Sequence, residues 1–199
     1  NTLTLTTENN IANADITASG AISGVTTLTL ASVGGTATLS GDVDVTTLTV
    51  GNTVANVAFT GNGSSVVNAI AFANDGTLTL GTSGGTQTYN GGLTTTAVGG
   101  TVTLNGTIAS SDDAVVLGAI TLGSATVIDT NSTTTNRADI TVAAITGGNN
   151  ALTLTTENNV TGSDVTASGN ISGVTTLTLA SVGGTATFAG DVDVTALIV

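Results

Sequence analysis

Residues 27–50 read TLTLASVGGTATLSGDVDVTTLTV. Three alternating runs, 27–30, 36–39 and 47–50, are separated by Gly34-Gly35 and by Gly41. In each run Thr alternates with Leu, Ala or Val, so successive side chains of an extended chain fall on opposite faces. One face is apolar and the other hydroxylated. A period of two in β-branched residues spells strand. The glycines between runs mark corners and keep each strand short. Thr, Val, Ile, Asn and Gly are mediocre or poor helix formers, and no helical pattern of useful length occurs in the chain.

Outward from this stretch, the same text returns. Residues 150–199 repeat residues 1–50 at an offset of 149, with 39 of 50 positions identical. Self-similarity at a fixed period is the mark of a repeat architecture. The organisation expected is one super-repeat over 1–149 and the start of the next over 150–199, continuous and without a linker, as in a window from a longer tandem array. A smaller unit lies inside it. TATLSGDV (36–43), TQTYNGGL (86–93), TVTLNGTI (101–108) and TATFAGDV (185–192) each say strand, corner, strand, and VAFTGNG (57–63) is a variant. Further alternating runs fall at Thr2–Thr6, Thr77–Leu80, Thr101–Leu104, Leu152–Thr156 and Thr176–Leu179. Pairs such as Asn62-Gly63, Asp75-Gly76, Gly84-Gly85, Gly99-Gly100 and Gly147-Gly148 mark corners that tolerate positive φ.

Two all-β architectures fit: a parallel β-solenoid (β-helix), or tandem antiparallel β-sandwich domains. Sandwich cores usually bury large aromatics, and here there are only Phe59, Phe72, Phe188 and Tyr89. Short strands and frequent Gly or Asn corners without Pro favour the solenoid. With roughly 20–30 residues per coil, one unit holds about five to seven coils and advances about 25–35 Å.

Composition excludes several functions. Only 7% of residues are charged, the net charge is −12, and Arg137 is the one cation. Nucleic-acid binding needs Lys and Arg against phosphate, so no nucleic-acid partner is expected. Anionic lipid is excluded on the same ground. No apolar run reaches the roughly 18 residues of a membrane helix, and no membrane insertion is expected. Mean hydropathy is +0.44, too high for a disordered chain. Without Cys there is no disulfide and no thiolate metal site.

GTQTYNGGLTTTA (85–97), GTVTLNGTIAS (100–110) and TLTLTTENNI (2–11) resemble the repeats of filamentous-haemagglutinin-like and autotransporter-like β-strand-repeat surface proteins of bacteria. The resemblance spans essentially the whole chain. It implies a right-handed parallel β-helix stalk in a very long exported protein. It brings no catalytic residues and identifies no receptor.

The residues also limit chemistry. His, Cys and Lys are absent, so Ser–His, Cys–His and Ser–Lys arrangements cannot form. Paired carboxylates remain: Asp42/Asp44 and Asp191/Asp193 in DVDV, and Asp112-Asp113. In a strand both Asp of DVDV project to one face, with Val on the other. A glycosidase pair would need aromatic and cationic groups to hold the sugar, and these are scarce. Oxygen ligands suit calcium, so Asp42, Asp44, Asp191 and Asp193 are the calcium candidates, with Glu8-Asn9-Asn10 beside them. No other cofactor is expected, and no catalytic or cofactor-binding residue is assigned. Thr-x-Thr stretches suggest an ice-binding ladder, against which stands their irregular spacing. Asn62, Asn105, Asn131, Asn159 and Asn170 stand in glycosylation sequons. Arg137 is expected to pair with Asp139 or with a carboxylate on an adjacent coil.

The function expected is structural, not enzymatic: a segment of an extracellular bacterial surface fibre, stalk or matrix filament that self-associates or stacks end to end. The alternative is an adhesin segment whose lateral Thr/Asn face meets glycans or other cells. An ice-binding solenoid and a polysaccharide-active β-helix are the weaker alternatives.

Overall fold

A computed structural model describes residues 1–7, 11–130, 136–156 and 160–199. Every regular element among them is a strand. In order these are β1 (Thr2–Thr6), β2 (Ile16–Ala18), β3 (Ile22–Ala31), β4 (Thr36–Leu39), β5 (Val43–Val50), β6 (Asn56–Phe59), β7 (Ser65–Val66), β8 (Ile70–Ala71), β9 (Leu78–Leu80), β10 (Thr86–Tyr89), β11 (Leu93–Thr94), β12 (Val102–Ser110), β13 (Val115–Leu117), β14 (Ile120–Asp129), β15 (Ile140–Val142), β16 (Ile145–Thr155), β17 (Val165–Ala167), β18 (Ile171–Ala180), β19 (Ala186–Phe188) and β20 (Val192–Ile198).

All strand pairings are parallel. The chain is a β-solenoid of about nine turns. Each turn contributes a strand to three faces. The first face carries β1, the later halves of β3 and β5, then β8, β11, β13, β15, β17 and β19. Between β5 and β8 it continues through the Asn68 amide, which donates to the Thr46 carbonyl at 2.8 Å. The second face carries β2, β4, β6, β9 and the opening residues of β12, β14, β16, β18 and β20. The third carries the opening residues of β3 and β5, then β7, β10 and the later halves of β12, β14, β16, β18 and β20. Strand β16 runs through position 149, so the first copy passes into the second within one element.

The alternation read from the sequence decides what goes inside. Leu28, Leu30, Ala37, Leu39, Val43 and Leu78 are buried, while the Thr between them face outward. Most of the interior is an aliphatic column. In its middle the column holds Phe59, Phe72 and Tyr89, all fully buried. Tyr89 meets both phenylalanines edge to face, at centroid distances of 6.3 and 6.4 Å, a favoured aromatic geometry. Gln87 also points inward and is buried. Its Nε2 donates to the carbonyls of Phe59 (2.8 Å) and Gly61 (3.1 Å), and the Tyr89 hydroxyl donates to its Oε1 at 2.8 Å. A buried amide is tolerated when its polar atoms are paired in this way. Burial pushes the Tyr89 phenol well above its ordinary pKa.

The corners differ in part from expectation. Gly84 and Gly148 do take positive φ, at 74° and 56°. Gly34 and Gly35 do not. There a Cβ would overlap the Ile11 carbonyl and the Asp15 carboxylate of the preceding turn. At these corners glycine is required by the close approach of one coil to the next. Local conformation is copied with the sequence. Gly24 and Gly173 have φ of 71° and 65°, Ser32 and Ser181 of 52° and 53°. The Thr36 amide donates to Asp15 Oδ1 at 2.7 Å, and Thr185 to Asp164 Oδ1 at the same distance.

Two substitutions weigh the buried centre. Phe72→Ala is expected to cost about 3–5 kcal/mol through the cavity it leaves. Tyr89→Phe is expected to cost about 1–2 kcal/mol by stranding Gln87 Oε1. Urea unfolding midpoints check both, and coincident midpoints for the two variants would contradict this account of the aromatic cluster.

Candidate functional site

Parallel pairing in register stacks the outward side chains of successive turns about 4.8 Å apart. On the second face this produces a line through every rank: Thr17, Thr38, Ala58, Thr79, Thr103, Thr121, Thr146, Ser172 and Asp193. The steps between these residues vary from 18 (Thr103 to Thr121) to 26 (Thr146 to Ser172). From the sequence, such irregular spacing counts against a hydroxyl ladder. The structure corrects that, because the corner segments absorb the length differences and leave the strands in rank. A shorter line, Thr4–Thr29–Thr49, runs on the first face, and Thr153–Thr178 on the third. Apart from Ala58 and the terminal carboxylate of Asp193, the long line is made of hydroxyls that donate and accept hydrogen bonds. The signal that could have revealed the long line is register set by the buried positions, since each outward Thr follows an inward Ile, Ala, Val or Leu.

The four calcium candidates divide between corners (Asp42, Asp191) and strands (Asp44, Asp193). Strand β5 begins at Val43, so Asp42 sits at the corner before it. Its Oδ1 accepts the Gly63 amide of the next turn at 2.8 Å. Asp44 projects outward in the strand, in rank with Ser65. Asp42 thus lies just outside the strand that carries Asp44. Asp191 donates its amide to Asn170 Oδ1 at 3.1 Å, and Asp193 closes the long hydroxyl line. Asp112 is buried with φ of 61°, one carboxylate oxygen lacking a partner. Among the described residues no three acidic groups gather closely enough to hold a metal ion. Glu8-Asn9-Asn10 lies outside the described residues, as do the sequons at Asn131 and Asn159. Asn105 donates to the Leu80 carbonyl at 3.4 Å.

Asp42 exemplifies a recurring device. Asp15, Asn56, Asp139, Asp164 and Asn170 likewise accept a backbone amide from the following turn: Thr36, Thr77, Asp164, Thr185 and Asp191, at 2.7 to 3.1 Å. A corner amide lacks a ladder partner, and a short Asx side chain supplies one. The acidic residues of the corners are thus stitches between coils.

Arg137 joins this system. Its Nε and Nη2 donate to the two carboxylate oxygens of Asp139 at 3.0 and 2.9 Å, and Nη2 reaches Asp164 at 3.3 Å. Both expected partners, the near carboxylate and the one on the adjacent coil, are engaged. Burial raises the pKa of Asp139, but the Arg137 hydrogen bond, the Asp164 amide and the Arg137 charge outweigh it, so the net shift is downward.

The grooves beside Asp44 and beside Asp193 are open to solvent, and among the described residues no helix is long and apolar enough to cross a membrane. No family model matches the chain, and neither a curated protein nor a solved structure does.

Because the folded pKa of Asp139 is depressed, its contribution to stability is present above the unfolded value of about 4 and is lost as pH falls through the folded value. Asp139→Asn is therefore expected to flatten the fall in stability below about pH 4, measured as the thermal midpoint against pH. An unchanged slope would contradict the role given to the carboxylate. Asp42→Ala is expected to cost about 1 kcal/mol through the unpaired Gly63 amide, and Asp42→Asn much less.

Proposed function

We propose that this chain is a rigid rod segment of an extracellular bacterial surface fibre, stalk or matrix filament, and that it is not a catalyst. The observation that carries the reading is the parallel ladder, which resumes in register on both sides of the corner inside β16 where the first sequence copy passes into the second. Every interior turn is hydrogen-bonded to a turn above and a turn below, around a filled apolar column. Such a molecule is quasi-one-dimensional, and adding copies extends it without a new core design. The absence of His, Cys and Lys from the sequence supports the non-catalytic part. The low charge and the strand–corner repeats support the surface-fibre part.

A second reading adds lateral binding to the same rod. The hydroxyl line from Thr17 to Ser172 favours it, because a regular uncharged array suits a hydroxyl-rich partner such as a glycan. Thr79→Val with Thr103→Val would remove two hydroxyls from its centre while keeping strand-forming side chains.

Chains carrying one, two and four copies of the 149-residue unit are expected to form rods that lengthen by about 32 Å per copy in negative-stain images. Particles whose long dimension fails to track copy number would overturn the rod reading. Retention on a glycan array that is unaffected by the double Val substitution would remove the lateral one.

A further inference from the structure

We infer that the repeat is a screw, in which each 149-residue copy falls one face short of a whole number of turns and so presents its surface on a different side of the solenoid from the copy before. The strand count carries this. From β1 the first face is revisited at Leu28, Leu48, Ile70, Leu93, Val115 and Ile140, which is six whole turns. The chain then crosses the second face at Ile145 and reaches Leu152 on the third. Leu152 is the copy of Leu3. One sequence period therefore spans six and two-thirds turns. Its strand segments number 20, which three faces cannot divide evenly.

The other strands agree. Ile16 stands on the second face, in the column that contains Ile171, but its copy Val165 stands on the first. Val43 stands on the third face, and its copy Val192 on the second. Strand register within each copy is unchanged: Leu3–Leu28–Leu48 becomes Leu152–Leu177–Leu197, and Ile16–Ala37 becomes Val165–Ala186. The rotation is thus a property of the coil count and not of a local distortion.

Surface features follow. The hydroxyl line Thr4–Thr29–Thr49 lies on the first face, and its copy Thr153–Thr178–Ile198 on the third. The open groove at Gly24, Val25, Thr26, Asp44, Val45 and Thr46 recurs at Gly173, Val174, Thr175, Asp193, Val194 and Thr195, on a different face. Orientation is restored only after three copies, about 20 turns and about 96 Å. Partners that recognise the copied surface are therefore held around the rod on three sides, as in a cross-linked network, and not in a row along one side. This geometry holds whether or not the chain serves as a rod, so its failure and that of the rod reading are separable.

The sequence has no cysteine, so introduced pairs can be spin-labelled cleanly. Asp44→Cys with Asp193→Cys labels copied positions. Asp44→Cys with Ala180→Cys labels one face, through Ser65, Thr88, Ala109, Asp129 and Thr155. Axial separations are about 32 and about 29 Å. A strand face of about five residues is about 16 Å wide, so the copied pair also crosses the rod. Pulsed dipolar distances are expected to be about 7 Å longer for the copied pair. Agreement of the two within about 5 Å would overturn the screw. Thr4→Cys with Thr153→Cys repeats the measurement on independent positions, with circular dichroism confirming the strand signal of each variant.

Discussion

Everything in this molecule depends on parallel backbone pairing between one turn and the next. Each buried amide and carbonyl must find a partner, and in a solenoid those partners lie about 4.8 Å above and below. That requirement holds strands in rank irrespective of how many residues separate them. It explains why steps as different as 18 and 26 residues coexist in one column. It also explains where glycine is obligatory. At Gly34 and Gly35 the neighbouring coil comes too near for any Cβ, so the ladder spacing itself selects the residue.

The ladder ends at each corner, and there the Asx residues take over. Asp15, Asp42, Asn56, Asp139, Asp164 and Asn170 each accept an amide of the following turn. The acidic character of the chain is in part a by-product of this task. The same logic governs the interior. Gln87 is accepted in an apolar column because Phe59, Gly61 and Tyr89 satisfy it. Such a network stabilises only when complete, which makes the centre of the rod its most composition-sensitive part.

A structure built this way offers function on its outside. Its interior is filled, the grooves beside Asp44 and Asp193 are open to solvent, and its regular features are lines of outward side chains. What distinguishes one stretch of rod from another is which face bears which line. The mismatch between a period of six and two-thirds turns and a three-sided turn means that no face repeats from one copy to the next. A repeated sequence thereby yields a surface that winds.

Strand, corner and inside are written locally along the chain. Alternation over 27–30, 36–39 and 47–50 places Leu28, Leu30, Ala37, Leu39 and Leu48 inward, because a period of two leaves no other arrangement. The sequence equally marks the 149-residue echo and leaves Arg137 only carboxylates to pair with. Other features were decided by the tertiary structure. The Thr17–Asp193 line could not be read from spacing, since register belongs to the coils and not to the loops. That Asp42 falls at a corner, with its carboxylate taken by the Gly63 amide of the next turn, follows from where β5 begins. The rotation between copies is a property of turn number, which depends on how many strands close one coil. Local sequence encodes each strand, but only the closed coil has three sides.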